Sequence, residues 1–247
     1  MAGHSHAKNV ARRKNAVDAV RAKIFSKHSR EITVAAKLGG GDPNFNPRLR
    51  AAISAARSES MPNDKIENAV KKGAGGLEGA NYEELVYEGY GAGGVALLVE
   101  TLSDNKNRTA AEVRSVFTKY NGNLGTPGSV AYMFKKKAYF LIDGATEDTV
   151  LAATLDAEPD EIRADANGQV ELIANVEKFD TIEKTLKSAG LTISVAKLTF
   201  IPDNIVPITD ANTAKSLLTL IEKLEEHDDV QNVHANYDMP EELHGAM

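Results

Sequence analysis

The chain contains no cysteine, which excludes a disulfide framework, a thiolate metal site and a cysteine nucleophile. No apolar run reaches about 18 residues, so the sequence predicts no membrane span. Its basic start lacks the apolar centre of a secretory leader. These absences lead us to expect a soluble, cytoplasmic protein. Catalytic signatures are missing as well: there is no Gly-x-Ser-x-Gly, no His-Glu-x-x-His and no Gly-x-x-x-x-Gly-Lys-Ser/Thr. The six histidines, His4, His6, His28, His227, His234 and His244, are not placed with carboxylates at metal-ligand spacing. We therefore expect no enzyme activity, no metal and no cofactor.

What the chain does have is charge, unevenly placed. The net charge of −6 over 247 residues argues against wholesale nucleic-acid binding. Residues 1–72, however, hold 15 Lys and Arg against 6 Asp and Glu, whereas residues 138–200 hold 5 against 12 and residues 201–247 hold 2 against 10. Such asymmetry points to one end that meets an anionic partner and another that does not.

The pattern of elements divides in the same way. Apolar positions Val17, Val20, Ile24, His28, Ile32, Ala35 and Leu38 follow helical spacing. Gly39-Gly40-Gly41-Asp42-Pro43 stops that helix, and Asn46-Pro47 reads as cap and first turn of a second. A third starts near Met61-Pro62 and ends at Lys71-Lys72-Gly73. Three punctuated helices predict a small bundle. Beyond Tyr82 the reading changes to strands and helices. Strands are expected at Leu85–Gly89, Gly94–Leu102, Ser129–Phe134 and Tyr139–Asp143, with a helix over Ala110–Tyr120. A helix over Thr146–Asp156, a hairpin of Glu161–Ala166 with Gln169–Ala174, a helix over Val176–Ala189 and a strand over Thr192–Ile201 follow. That order is β-α-β-β-α-β, a ferredoxin-like unit. Ile205–Ile208, helix Ala211–Glu226 and strand Val230–Asn236 complete a second one around it.

The expected fold class is thus α+β: an N-terminal three-helix bundle followed by two ferredoxin-like α/β domains, one inserted in the other. The expected boundaries are a basic helical domain with its arm over 1–79, a discontinuous central domain over 80–137 and 201–247, and an acidic insert over 138–200.

Two stretches invite a chemical reading. Gly89, Gly91 and Gly94 satisfy G-x-G-x-x-G, but dinucleotide binding needs a helix directly after the glycines. Here the apolar, strand-length run Val95–Val99 follows, so a hairpin turn is predicted instead. The polar run Ser103–Thr109 offers Lys106 and Arg108 with Asn105 and Asn107, donors suited to phosphate, and Thr109-x-x-Glu112 reads as a capping box. Within the basic region, Lys8, Arg12, Arg13 and Lys14 lie on the arm. Lys23, Lys27, Arg30 and Lys37 form a stripe on the first helix, and Arg48 and Arg50 face outward from the second. Together with Lys106 and Arg108 these are the candidate nucleic-acid contacts.

Several long motifs then carry a family resemblance: MAGHS at Met1–Ser5, REITVAAKLGGGDP at Arg30–Pro43, NPRLR at Asn46–Arg50, MPNDKIENAVKKG at Met61–Gly73, YEGYGAGGVA at Tyr87–Ala96, DNKNRT at Asp104–Thr109, GSVAYMF at Gly128–Phe134 and DVQNVHAN at Asp229–Asn236. With these the whole chain resembles the YebC family of regulators. The family usually has Lys-Trp where this chain has His6-Ala7. The resemblance implies three domains and a non-enzymatic regulator of gene expression, usually described as a DNA-binding transcriptional regulator. It also implies an alternative, a ribosome-associated translation factor that helps elongation through proline runs, with ribosomal RNA or the ribosome as partner. A third reading, from the charge split alone, is a protein-interaction adaptor whose basic bundle docks an acidic surface. No membrane partner is expected.

Overall fold

In the computed structural model, residues 18–75, 82–164 and 168–244 are described, and the arm lies outside them. The described residues separate into two compact units. Residues 135–201 form one, and residues 18–134 with 202–244 form the other.

The larger unit opens with three helices, α1 (Asp18–Gly39), α2 (Pro47–Ser58) and α3 (Asn63–Ala74). Their shared core is small-residue rich, with Ala35, Ala36, Ala52, Ala56 and Ala69 beside Ile32, Leu49, Met61 and Ile66. Alanines let helix backbones approach closely, and Gly73 is the extreme case. A Cβ built there would stand 2.3 Å from the Thr33 carbonyl oxygen and 2.8 Å from the Ala36 Cβ. Leu38, expected on the inward face, is instead 68% exposed, because α1 ends at the next residue and the chain turns away through Gly40 at φ +89°.

The corner between α1 and α2 is held by Asn46, only 4% exposed. Its Oδ1 accepts from Leu49 N at 3.0 Å as the cap of α2, and its Nδ2 donates to the carbonyls of Ala35 and Gly40, both at 2.8 Å. The capping inferred from Asn46-Pro47 is therefore present, and the same side chain also fastens the end of α1.

Next come β1 (Glu83–Tyr90) and β2 (Ala96–Ser103), an antiparallel hairpin with Gly89 opposite Leu97. Gly91–Gly94 is its turn, with Gly93 at φ +73° and Gly94 at φ +74°. The strand β2 follows the glycines directly, as the turn reading requires. Then α4 (Lys106–Lys119) and the two-residue β3 (Asn123–Leu124) follow. Helix α4 starts four residues earlier than expected. Asn105 is its cap, its Oδ1 accepting from Arg108 N at 3.1 Å, while Thr109 is fully buried inside the first turns.

The strand expected over Ser129–Phe134 does not form at those positions. The buried Glu88 carboxylate accepts N–H bonds from Gly128, Val130 and Ala131 at 2.6–2.7 Å, and Ala131–Met133 curls into a 3-10 turn. With its N–H groups taken by Glu88, this segment has no ladder to offer, and β4 (Phe134–Asp143) begins only after it.

The smaller unit is built from β4, α5 (Glu147–Thr154), β5 (Glu161–Ala164), β6 (Gln169–Ala174), α6 (Phe179–Ser188) and β7 (Thr192–Pro202). The sheet order β5-β6-β4-β7 is that of a ferredoxin-like unit, with Phe140, Ile142, Leu172, Ile182 and Leu186 in its core.

The larger unit closes with β8 (Val206–Pro207), α7 (Ala211–Glu225), β9 (Val230–Ala235), β10 (Tyr237–Asp238) and α8 (Glu241–His244). Its sheet runs β3-β1-β2-β9. The strand between β2 and β3 is β1, which arrives ahead of them in the chain. The segment expected to fill that place, Ile205–Ile208, pairs in parallel with β10 in a separate two-stranded ribbon. Helices α4 and α7 pack Val113, Phe117, Leu217, Leu220 and Leu224 against Val95, Leu97 and Val99.

Candidate nucleic-acid interface

The cationic stripe of α1 meets an acceptor set within the same unit. Lys23 Nζ donates to Glu226 O at 3.1 Å, and Lys27 Nζ donates to Glu225 O at 2.6 Å. Arg30 Nη1 donates to the Asp228 carbonyl and, at 2.9 Å, to Asp229 Oδ1. These acceptors end α7, where unsatisfied carbonyls and the negative end of the helix dipole favour cations. Four carboxylate residues, Glu225, Glu226, Asp228 and Asp229, follow one another within five positions there. The cations of α1 thus hold the C-terminal end of α7, with a close carboxylate pair at Arg30–Asp229 and a looser one between Lys23 and Asp228 at 4.0 Å.

Asp229 is the centre of this contact and only 3% exposed. Besides Arg30, its Oδ2 accepts from Arg108 Nη2 at 2.7 Å and from Thr109 Oγ1 at 2.6 Å. Burial opposes ionisation of this carboxyl. The hydrogen bonds from Thr109 and Arg108, with the charges of Arg30 and Arg108, more than compensate and hold its pKa below the ordinary value. The neighbouring Tyr87 phenol is pushed up, by burial first and then by the Asp229 charge. Around the node, Asp229 N donates to His227 Nδ1, and His227 Nε2 contacts Glu112 at 2.9 Å. Arg30 also lies over the Tyr82 ring, 5.6 Å from its centroid.

The other candidates divide similarly. Arg48 Nε donates to Glu31 Oε1 at 2.8 Å, and its Nη2 pairs with Glu84. Burial disfavours the Arg48 charge, but the bonds and charges of Glu31 and Glu84 outweigh that and raise its pKa. Arg50 Nη1 donates to Pro43 O at 3.0 Å and braces the corner. Arg108 also pairs with Asp104 at 2.9 Å. Lys37 and Lys106 are exposed. Lys8, Arg12, Arg13 and Lys14 lie outside the described residues.

What the structure exposes is a different helix. On α3, Ile66, Ala69 and Gly73 face the core, and Lys65, Asn68 and Lys72 form an exposed row about a third of a turn away. Neither lysine of that row has an ion-pair partner among the described residues. Lys65 lies 5.3 Å from the centroid of the half-buried Phe25 ring on α1. Helix α2 adds the exposed Arg57. Lys65 and Lys72 are absent from the candidates that the sequence suggests. Their spacing of i and i+7, beside the apolar positions of the same helix, is the signal that points to them.

Comparisons with known proteins cover both parts of the chain. The model for the TACO1/YebC protein N-terminal domain matches residues 5–76, and that for the TACO1/YebC second and third domain matches residues 82–237. A probable transcriptional regulatory protein of Methylacidiphilum infernorum is 48% identical over 245 residues, covering 98% of each chain. Another, from Desulfotalea psychrophila, is also 48% identical with 98% of each chain covered. The crystal structure of a conserved hypothetical protein from Aquifex aeolicus superposes with a TM-score of 0.82 at 43% identity, covering 92% of this chain and 93% of that one. The long motifs, the helical bundle ahead of two α/β layers and matches spanning nearly every residue agree on one assignment: the chain belongs to the TACO1/YebC family.

Proposed function

We propose that the protein is a non-enzymatic regulator of gene expression that binds nucleic acid through the exposed face of its helical bundle. The observation that carries this reading is the Lys65–Asn68–Lys72 row on α3, cationic and directed away from the core. Of the stripe Lys23, Lys27, Arg30 and Lys37, the first three contact the end of α7, which favours an anchoring role for them and leaves α3 the more open cationic row. A row of this kind contacts phosphates and sets position along a strand rather than reading bases. The names of the relatives, probable transcriptional regulatory proteins, agree with a regulator and make duplex DNA the first target.

The test is a binding titration of duplex DNA and of RNA at several salt concentrations, with wild type beside a Lys65→Ala/Lys72→Ala variant. Each lost phosphate contact should lower the slope of log K against log salt by about 0.9 on DNA. The double variant is therefore expected to bind several-fold more weakly and to lose roughly two units of slope. Unchanged affinity and slope would remove α3 from the interface. No binding to either polymer would leave the adaptor reading, in which the bundle docks an acidic protein. Co-sedimentation with ribosomes in the same buffers separates the translation-factor reading from the transcriptional one.

A further inference from the structure

Phe45 is 84% exposed and Leu38 is 68% exposed, the two most exposed large apolar side chains among the described residues of the bundle. They flank the glycine corner on either side, and the corner is firmly built. Asn44 N donates to Asp42 Oδ1 at 2.9 Å, and Phe45 N donates to Asp42 O at 3.2 Å. Residue 46 is the buried asparagine that ties α1 to α2. The Phe45 ring therefore projects from a fixed backbone while the residue directly after it is fully engaged inside the bundle.

The surroundings carry several cations, beside the Asp42 carboxylate of the corner itself and Glu67, which pairs with Lys71 at 3.9 Å. A Cβ built at Gly41 would stand 2.8 Å from the Ala74 Cβ, so the corner lies against the last turn of α3. This brings Leu38 and Phe45 to the same end of the bundle as Lys37, at the end of α1, and Lys71 and Lys72, at the end of α3. Lys72 is also the last member of the exposed row on α3. A rigidly presented aromatic ring beside a cationic track is how proteins hold single strands: phosphates follow the cations and an unpaired base stacks on the ring. Bases of duplex DNA are stacked on each other and do not offer a free face, whereas the loops, bulges and ends of RNA do.

From this juxtaposition we infer that the glycine corner is a stacking platform for an unpaired RNA base, with Phe45 as the ring and Leu38 as its apolar margin. The inference rests on the nucleic-acid reading of the bundle and adds to it the state of the polymer. The two can fail separately.

The chain has no tryptophan, so Phe45→Trp installs a single indole reporter at the platform. We would titrate the full-length protein with an unstructured RNA of about 15 nucleotides, a length within the usual single-strand site size, the single-stranded DNA of the same sequence and a DNA duplex. Stacking should quench the indole emission of the Phe45→Trp variant on adding the RNA. Phe45→Ala should weaken RNA binding roughly five- to a hundredfold, with the salt slope unchanged because no charge is removed. Duplex binding should be untouched. Circular dichroism checks that both variants keep the bundle, as expected for so exposed a position. RNA affinity equal to wild type in Phe45→Ala, or no change in indole emission, overturns the platform while leaving the Lys65→Ala/Lys72→Ala result to decide the wider reading. An equal loss on duplex DNA also overturns it, since no base is free to stack there. Tighter binding of the DNA single strand than of RNA overturns the RNA assignment. A wild-type protein that binds none of the three probes overturns both inferences, and self-association reversed by Phe45→Ala would overturn the platform by identifying the corner as a contact between copies.

Discussion

At the scale of single residues, Asp229 shows how far the fold departs from what spacing along the chain can reveal. Its partners Arg30 and Arg108 are separated from it by 199 and 121 positions. The sequence shows a cationic helix stripe and an acidic C-terminal segment, but not that the two meet. A solvated stripe and an internally paired one have the same periodicity, so spacing alone does not reveal that Lys23, Lys27 and Arg30 contact the end of α7. Removing the Asp229 carboxylate leaves Arg30, which is mostly buried, without its counter-charge and Thr109 without one of its hydrogen-bond partners. Asp229→Ala should therefore destabilise the protein by about 2–3 kcal/mol at neutral pH, a fall in Tm of roughly 5–10 °C. Because the folded-state pKa of Asp229 is depressed, its contribution is complete above the unfolded value near 4 and is lost as pH falls through the folded value. The Tm gap between wild type and variant should accordingly be widest at about pH 6–7 and narrow below about pH 4. A gap that stays constant down to about pH 3, below the ordinary carboxylate range, would show that the loss comes from packing and not from the charge. The buried Glu88 carboxylate behaves alike. Burial raises its pKa, and three backbone N–H donors lower it further than burial raises it.

Elements are legible in the sequence where local chemistry decides them. Asn46-Pro47 announces α2, the glycine triplet announces the corner, and the apolar run Tyr139–Ile142 announces the core strand of the smaller unit. They are hidden where a distant group decides. Thr109-x-x-Glu112 reads as the helix start, yet the cap is Asn105, with Thr109 drawn inward by Asp229 and by Ser103, each at 2.6 Å. Ser129–Phe134 has the composition of a strand, but Glu88 claims the N–H groups of Val130 and Ala131 first. Gly73 is another position whose role is set by a partner helix. Alanine there would add helix propensity worth about 1 kcal/mol. The new Cβ would, however, run into a backbone carbonyl of α1 that cannot swing aside. Gly73→Ala should therefore be destabilising by about 1–3 kcal/mol in net terms. Thermal unfolding would measure it, and a variant as stable as wild type would mean that α1 and α3 can separate without loss. Val70→Ala, a neighbouring truncation on the same helix that relieves rather than adds bulk, serves as the comparison.

For the whole molecule, the charge split takes on a different meaning once the contacts are known. Part of the positive excess of residues 1–72 is consumed inside the chain by the acidic end of α7, and exposed cations remain on α3 and beside the glycine corner. The acidic residues 138–200 belong almost entirely to the smaller unit, a chain segment whose entry and exit are close together. Asp203 N donates to Met133 O at 2.8 Å, so the larger unit holds the two points of attachment side by side through its own backbone. Neighbouring ends are what make insertion, and equally excision, compatible with folding. We accordingly expect that replacing residues 135–201 by a short Gly/Ser linker leaves the larger unit folded, with a single cooperative thermal transition. Since that segment carries an excess of carboxylates and the proposed contacts are all on the bundle, the shortened protein should bind nucleic acid at least as tightly as the full chain. Its salt slope should be the same, because the number of phosphates neutralised is the same. A shortened protein that folds but has lost both affinity and slope would place essential contacts in the removed segment, and the bundle alone would no longer account for binding.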